Sequence, residues 1–186
     1  MTQEEAVALV LDALESSGID YMVVGSFAGN LHGAPRTTHD AGVVIEPSER
    51  AIRAALERLR DDFYVSDDAV TDALRRRTQF NVIHFESGMK IDLIVRKDRR
   101  FSETELHRRT RGPLAGRTVP FATAEDTFLT KLEWSRKSSS ERQFLDACGI
   151  AQVQAAASDW DYATRWAPEL GVSDLLERAR ETIRAR

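Results

Sequence analysis

Residues 21–46, YMVVGSFAGNLHGAPRTTHDAGVVIE, decide the fold through an apolar run, a Gly-Ser pair, a polar loop and a second apolar run. The first run, residues 19–24, is rich in β-branched side chains and predicts a buried strand that ends at Gly25. A short helix is expected over residues 27–31 and a second strand over residues 41–45. The stretch therefore predicts a strand, a tight turn into a helix, and a return strand.

The turn and the loop of this stretch carry candidate chemistry. Gly25 lets a ligand approach the backbone closely, and the N–H groups of a helix start can bind phosphate oxygens together with the Ser26 hydroxyl. Asp40 follows Ser26 by fourteen residues, at the edge of the next strand. A carboxylate beside a phosphate site supplies the hard oxygen ligand that a magnesium–nucleotide complex needs. Gly-Ser alone is equally compatible with an ordinary turn.

The rest of the chain predicts a sheet followed by helices. Before residue 122, the pattern predicts an N-terminal helix ending at Gly18, helices after Ser48 and over residues 67–77, a hairpin around Ser87-Gly88, and a strand at residues 117–121. In the second hairpin strand, Asp92 points away from four apolar residues. Further helices are predicted at residues 123–137, 140–157, 159–166 and 173–186. We expect an α+β fold, with an α/β domain over residues 1–122 and a helical subdomain over residues 123–186.

Composition excludes several classes of protein. The 186 residues are 42% hydrophobic and 30% charged, which excludes a disordered chain. Cys148 is the only cysteine, so an internal disulfide and a cysteine-rich metal site are excluded, and its apolar neighbours indicate a core position. The N-terminal segment is acidic and no run of 18 apolar residues exists. We therefore expect a cytoplasmic protein without a membrane partner.

Charge is unevenly distributed along the chain. The net charge is −4, yet residues 75–111 hold eleven Lys and Arg against five Asp and Glu, a local net charge of +6. Two interpretations stay open, namely solvated arginines at the ends of helices and strands, or a basic rim for a polyanionic substrate. Aromatic residues do not alternate with the basic clusters, so the segment lacks the pattern of a platform that stacks single-stranded bases.

Gly25-Ser26, the run from Arg36 to Asp40 and the strand after it together resemble the polymerase-β-type nucleotidyltransferase superfamily. Asp92, within KIDLIV, is similar to the carboxylate that a later strand contributes in that family. Residues 120–146 resemble the helical part of the AbiEii and MenT branch of bacterial toxin-type nucleotidyltransferases, in which a lysine and a later aspartate match Lys131 and Asp146. The resemblance covers residues 19–170. It implies the nucleotidyltransferase fold, with a mixed sheet, flanking helices and a C-terminal helical bundle.

Position 42 departs from the family pattern. The family's Asp-x-Asp reads Asp40-Ala41-Gly42 here, and residues i and i+2 of a strand share a face, so Gly42 stands where the second metal-bridging carboxylate belongs. Glycine also weakens a strand and adds no packing. Three explanations stay open: natural loss of the aspartate, a substitution made to disarm a toxic enzyme, and a single metal ion that suffices at a reduced rate.

The resemblance implies a role for each matching residue of the sheet. Asp40 and Asp92 would hold Mg²⁺, while Gly25 and Ser26 would hold the β- and γ-phosphates of an NTP. A turn cap for Asp40 and a solvated strand face for Asp92 are the simpler alternatives.

Three further residues receive implied roles. Lys131 would stabilise charge on the triphosphate, Asp146 is implied as catalytic, and Arg36 as nucleotide-binding. The alternatives are an exposed helix lysine, a surface ion pair of Asp146 with Arg142 four residues earlier, and a loop contact of Arg36.

The implied reaction is transfer of a nucleotide from an NTP to a hydroxyl acceptor. The resemblance implies tRNA 3′ ends as the acceptor, and a cognate antitoxin as a protein partner. Two other functions stay open. A small-molecule nucleotidyltransferase that modifies antibiotics would have a deep acidic pocket, and a catalytically silent nucleotide-binding or interaction module would be consistent with Gly42.

Overall fold

The computed structural model describes residues 2–33, 37–38, 40–154 and 159–185. In chain order its elements are α1 (Gln3–Ser16), β1 (Asp20–Val24), α2 (Gly25–His32), β2 (Asp40–Glu46), α3 (Glu49–Glu57), β3 (Phe63–Val65), α4 (Asp67–Arg76), β4 (Gln79–His84), β5 (Lys90–Val95), α5 (Arg100–Arg108), β6 (Thr110–Leu114), β7 (Arg117–Phe121), α6 (Ala124–Ser138), α7 (Glu141–Val153), α8 (Trp160–Leu170) and α9 (Ser173–Arg184).

Within the described residues, seven strands form one mixed sheet in the order β3-β4-β5-β2-β1-β7-β6. At its centre, β2 pairs antiparallel with β1 and parallel with β5. The register aligns Val24, Gly42 and Asp92 in one row across these three strands. Because neighbouring strands lie about 4.8 Å apart, Gly42 is directly beside both residues.

One face of the sheet is apolar, whereas the other, here called the polar face, carries Asp40 and Asp92 beside a small apolar cluster that includes Val24 and Val44. Val43, Ile45, Ile91 and Leu93 are completely buried in a core that they share with α1, α3 and α4. Each such side chain stabilises the fold by about 1.5–3 kcal/mol, and a one-residue slip of register would move all four to the other face. Because side chains alternate along a strand, the residues between these four, which include Asp92, lie on the opposite face of the sheet.

A second core lies among the C-terminal helices. Phe128 and Leu132 of α6 pack with Phe144 of α7 and with residues of α8 and α9. Phe101 of α5 is completely buried in the same core. The helices α6 and α7 lie beside the polar face of the sheet. A domain boundary near residue 122 stays a prediction.

Most of the predicted elements are confirmed. Ser48 caps α3 as expected, because its Oγ accepts a hydrogen bond from the backbone N–H of Ala51 at 3.2 Å. The helix predicted over residues 140–157 ends at Val153, and residues 155–157 lie outside the described part of the chain. None of the helices described is both long and apolar enough to cross a membrane.

Three elements escaped the sequence analysis, namely β3, α5 and β6. The strand β3 has only three residues, too few for a periodic signal. In α5, polar residues occupy most positions, and β6 contains a Gly-Pro pair that is typical of a turn. Their positions come from long-range pairing and packing, which overrides these local signals.

Candidate functional site

A cleft of about 470 Å³ lies over the polar face of the sheet. Its lining includes the start of α2, the residues of β2 and β5 on this face, and side chains of α5 and α6. The structure therefore brings the Gly-Ser turn, the two predicted carboxylates and Lys131 to one cavity, although they lie as much as 106 positions apart in the sequence.

The turn between β1 and α2 has the conformation that its sequence requires. Gly25 has a φ of +66°, in the left-handed region that favours glycine. The helix α2 begins at this residue, and both Gly25 and Ser26 line the cleft. The positive end of the helix dipole therefore lies at the cleft, where it favours an anion.

Asp40 and Asp92 lie on the neighbouring parallel strands β2 and β5, and both line the cleft. Asp40 Oδ1 accepts a hydrogen bond from Thr38 Oγ1 at 2.6 Å. Asp92 is 17% exposed, and its Oδ2 lies 3.3 Å from Lys90 Nζ. Its buried Oδ1 has no hydrogen-bond partner among the described residues.

The environment of Asp92 is unfavourable to a lone negative charge. Burial raises the pKa of Asp92, and the nearby Asp40 carboxylate raises it further, against the attraction of Lys90. A buried polar atom without a partner costs about 1–3 kcal/mol, and more when it is charged. A hard divalent cation such as Mg²⁺ is commonly held by one or two carboxylates and water, so the pair fits this ion.

Gly42 leaves this pair without a third carboxylate between β1 and β5. A Cβ built at position 42 would lie 3.0 Å from Val24 Cγ2, so a larger residue requires a small shift of that methyl group. In the parts of the chain that the structure describes, no group of three or more His, Cys, Asp or Glu side chains is placed to hold a metal.

Lys131 is buried against α2 and held by two acceptors of α7. Its Nζ donates to Asp146 Oδ2 at 3.1 Å and to Gln143 Oε1 at 3.3 Å, and the residue is 3% exposed. Lys131 and Asp146 also line a cavity of about 100 Å³ together with Ser26. The structure thus places the predicted helical pair next to the Gly-Ser turn.

Gly29 of α2 allows Lys131 to take this position. A Cβ built at Gly29 would lie 3.1 Å from Lys131 Cε and 3.7 Å from its Nζ. Such a contact with Cε is closer than the ordinary carbon–carbon separation of about 3.5–4.0 Å. Arg36, the remaining candidate, lies outside the described residues, and its role stays a prediction.

The fold is similar to those of several solved structures. The antibiotic-resistance factor ANT(2'')-Ia matches with a TM-score of 0.57 and 14% identity over 99% of this chain and 92% of its own. An antigenic nucleotidyltransferase-like protein from Paracoccidioides brasiliensis matches with a TM-score of 0.56 and 18% identity, over 94% and 92% of the respective chains. For the lincosamide antibiotic adenylyltransferase LnuA, solved with bound lincomycin, the TM-score is 0.53 and the identity 13%, over 80% and 96%.

The chain has the nucleotidyltransferase fold. The predicted α+β class with a mixed sheet is thereby confirmed. No protein-family model matches the chain, and no curated protein sequence matches it.

In this nucleotidyltransferase fold, the cleft has a second charged region that the sequence analysis did not assign. Glu133 of α6 accepts hydrogen bonds from both terminal nitrogens of Arg99, at 2.7 and 2.8 Å, and from Lys137 Nζ at 2.5 Å. Lys97 Nζ lies 3.6 Å from the same carboxylate. We call these four residues the distal cluster. The basic clusters at residues 96–100 were a partial signal for it, but no motif marks Glu133.

The charges of the distal cluster perturb one another. Burial alone would raise the pKa of Glu133, but hydrogen bonds from Arg99 and Lys137 lower it to about 2. Burial and the neighbouring Lys137 ammonium lower the pKa of Lys97 to about 8, against the attraction of Glu133. The carboxylate is thus firmly ionised at neutral pH, whereas Lys97 is still mostly protonated there and loses its proton near pH 8.

Glu105 is a further ionisable residue of the cleft that no sequence motif indicated. It is 5% exposed and accepts a hydrogen bond from Thr130 Oγ1 at 3.1 Å. Burial and the nearby Asp126 raise its pKa to about 8, so the carboxyl group is mostly protonated at neutral pH. Cys148, by contrast, is completely buried in the helical core, as the sequence predicted.

Proposed function

We propose that this protein transfers a nucleotide from an NTP to a hydroxyl acceptor. The observation that supports the proposal most strongly is the buried Oδ1 of Asp92, which has no partner among the described residues, in the cleft that also contains Asp40 and the start of α2. A carboxylate pair beside a helix N-terminus combines a cation site with an anion site, which is what a metal–triphosphate complex requires.

In this proposal each group has one task. Gly25 and Ser26 bind the β- and γ-phosphates, and Lys131 balances their charge through an ammonium group that Asp146 orients. Asp40 and Asp92 hold Mg²⁺, which when bound supplies positive charge that favours departure of pyrophosphate.

The reaction itself balances without a further reagent. The acceptor oxygen forms a bond to the α-phosphorus, the bond from that phosphorus to the β-phosphate oxygen breaks, and the hydroxyl proton leaves to solvent. Phosphoryl transfer depends mainly on positioning and electrostatics, so the cleft residues contribute by holding the reactants in line. With Gly42 in place of a third carboxylate, we expect a reduced rate.

We further propose that the acceptor is a tRNA 3′ end and that the protein is the toxin of a toxin–antitoxin pair. The resemblance of residues 120–146 to the AbiEii and MenT branch supports this choice. The lining of the cleft supports it too, because six Lys and Arg side chains line it against four Asp and Glu side chains.

A second candidate function is nucleotide binding without transfer, and the glycine at position 42 favours it. A site with two carboxylates can bind an NTP with its metal ion and still lack the geometry that catalysis requires. In this case NTP binding depends on Asp92 in the same way, but no product forms.

The test is incubation of the protein with Mg²⁺, each of the four labelled NTPs in turn, and total tRNA. We expect label on tRNA with the wild-type chain, and loss of label with Asp92→Asn and with Asp40→Asn. The control is Asp20→Asn, a neutralisation of an exposed aspartate in β1. Binding of the NTP without labelled tRNA would refute tRNA as the acceptor and leave the silent module and a small-molecule transferase. Labelling that survives Asp92→Asn would refute the proposed site.

A further inference from the structure

The cleft extends from the proposed nucleotide site to the distal cluster. Lys97 lies two residues beyond the end of β5 and follows Asp92 by five residues, which span at most about 17 Å at about 3.3 Å per residue. On the facing helix α6, Lys137 follows Lys131 by six residues, or about 9 Å. Residues at both ends of these two paths line the same cleft. The distal cluster therefore occupies a separate place from the Gly-Ser turn.

The distal cluster contains more positive charge than its own carboxylate neutralises. Three cations surround one carboxylate, because Arg99, Lys97 and Lys137 all lie within 3.6 Å of Glu133 Oε1. Arg99 alone already engages both oxygens of Glu133 in a two-pronged pair. The two lysine ammonium groups are therefore surplus to the ion pair, and they repel each other.

The two lysine ammonium groups are exposed to the cleft, where a ligand can contact them. The side chains of Lys97 and Lys137 are 40% and 47% exposed, whereas that of Glu133 is 7% exposed. Two ammonium groups thus line the cleft above a buried carboxylate that holds them together. An anion placed between them would relieve their repulsion and accept charge-assisted hydrogen bonds from both.

We propose that Lys97 and Lys137 bind a backbone phosphate of the acceptor, so that the acceptor is an RNA 3′ end and not a cationic small molecule. The inference rests on the proposed function of the cleft. It adds to that function a defined subsite, in which Glu133 and Arg99 position the lysines and the lysines touch the substrate. A phosphate bound here fixes the strand so that its terminal hydroxyl reaches toward Asp92.

The triphosphate of the NTP is the other phosphate that could reach these lysines, and the experiment separates the two sources. Equilibrium binding is measured by calorimetry for the trinucleotide CpCpA, for adenosine, and for an NTP with Mg²⁺. The variants are Lys97→Gln, Lys137→Gln and the charge-conserving Lys137→Arg. The matched control is Arg136→Gln, which removes an equal charge one residue earlier on α6, where Arg136 pairs with Asp174 outside the cleft.

We expect each glutamine variant to weaken CpCpA binding about tenfold or more, because a charge-assisted hydrogen bond is lost. Lys137→Arg and Arg136→Gln should retain CpCpA binding, adenosine should bind weakly to every variant, and NTP binding should not change. Equal weakening of NTP and CpCpA would assign the cluster to the triphosphate and overturn the proposal. Wild-type binding of CpCpA that is no tighter than that of adenosine would overturn it as well.

Transfer assays on the same proteins keep the two proposals apart. CpCpA binding that depends on Lys97 and Lys137, without any transfer, supports the subsite and refutes the proposed activity. Transfer to an acceptor with an unchanged acceptor KM in both glutamine variants supports the activity and refutes the subsite.

Discussion

Replacement of Gly29 by alanine should stabilise α2 and at the same time impair nucleotide transfer. In a helix interior, alanine is more favourable than glycine by about 0.8–1.0 kcal/mol. The new methyl group would lie 3.1 Å from Lys131 Cε, which is about 0.4–0.9 Å closer than ordinary carbon contacts. Lys131 must therefore move by a few tenths of an ångström, away from Asp146 or away from the Gly-Ser turn.

A displacement of about 1 Å in a positioning contact can cost about 100-fold in rate, so a shift of a few tenths of an ångström should lower kcat/KM for the NTP by up to about tenfold. The assay combines transfer kinetics with thermal unfolding of the same preparation. Thr71→Ala in α4 is the control, because Thr71 is exposed, lines neither the cleft nor the small cavity, and also gains helix propensity, so it should leave kinetics unchanged. Wild-type kcat/KM in a fully folded Gly29→Ala protein would refute the role of Lys131 at the triphosphate.

Three further changes test the charges and the packing of the fold. Glu105→Gln should raise Tm at pH 9 but not at pH 5. The pKa of Glu105 is about 8 in the folded protein, so wild-type stability falls as pH rises from about 4.5 through 8. Parallel curves of Tm against pH for the two proteins would contradict this. CpCpA affinity should fall between pH 7 and pH 9 as Lys97 loses its proton, and Lys97→Arg should remove that dependence; calorimetry at several pH values checks this. Gly112→Ala should lower the free energy of unfolding in urea by about 1–3 kcal/mol, because its Cβ would lie 2.9 Å from Cδ2 of the buried Phe121 and 2.7 Å from Leu31 Cδ2.

The central strands were predictable because their side chains alternate with a period of two. In KIDLIV, the buried residues Ile91, Leu93 and Val95 assign Asp92 to the opposite face, and the structure agrees. The Gly-Ser turn was also predictable from the sequence, since Gly25 adopts the positive φ for which glycine is suited. These are local properties, and local sequence determines them.

The distal cluster could not be predicted in the same way. Glu133 and Arg99 lie 34 positions apart in the sequence. Glu133 is on α6, which the sequence predicted, whereas Arg99 directly precedes α5, which it did not. Lys131 and Asp146 became candidates only through the family resemblance, and helical spacing alone favoured a surface pair of Asp146 with Arg142. Contacts between distant segments depend on how the helices pack against the sheet, which periodicity does not specify.

Position 42 provides the most direct test of the proposal that Asp40 and Asp92 form a metal-dependent transfer site. The measurement is release of pyrophosphate from an NTP in the presence of Mg²⁺ and tRNA, for the wild type, Gly42→Asp and the uncharged, equally shaped Gly42→Asn. We predict that Gly42→Asp exceeds both other proteins by about tenfold or more, which corresponds to about 1.4 kcal/mol of transition-state stabilisation. A Gly42→Asp protein that folds but releases pyrophosphate no faster than Gly42→Asn would contradict the proposal that Asp40 and Asp92 form a metal-dependent transfer site.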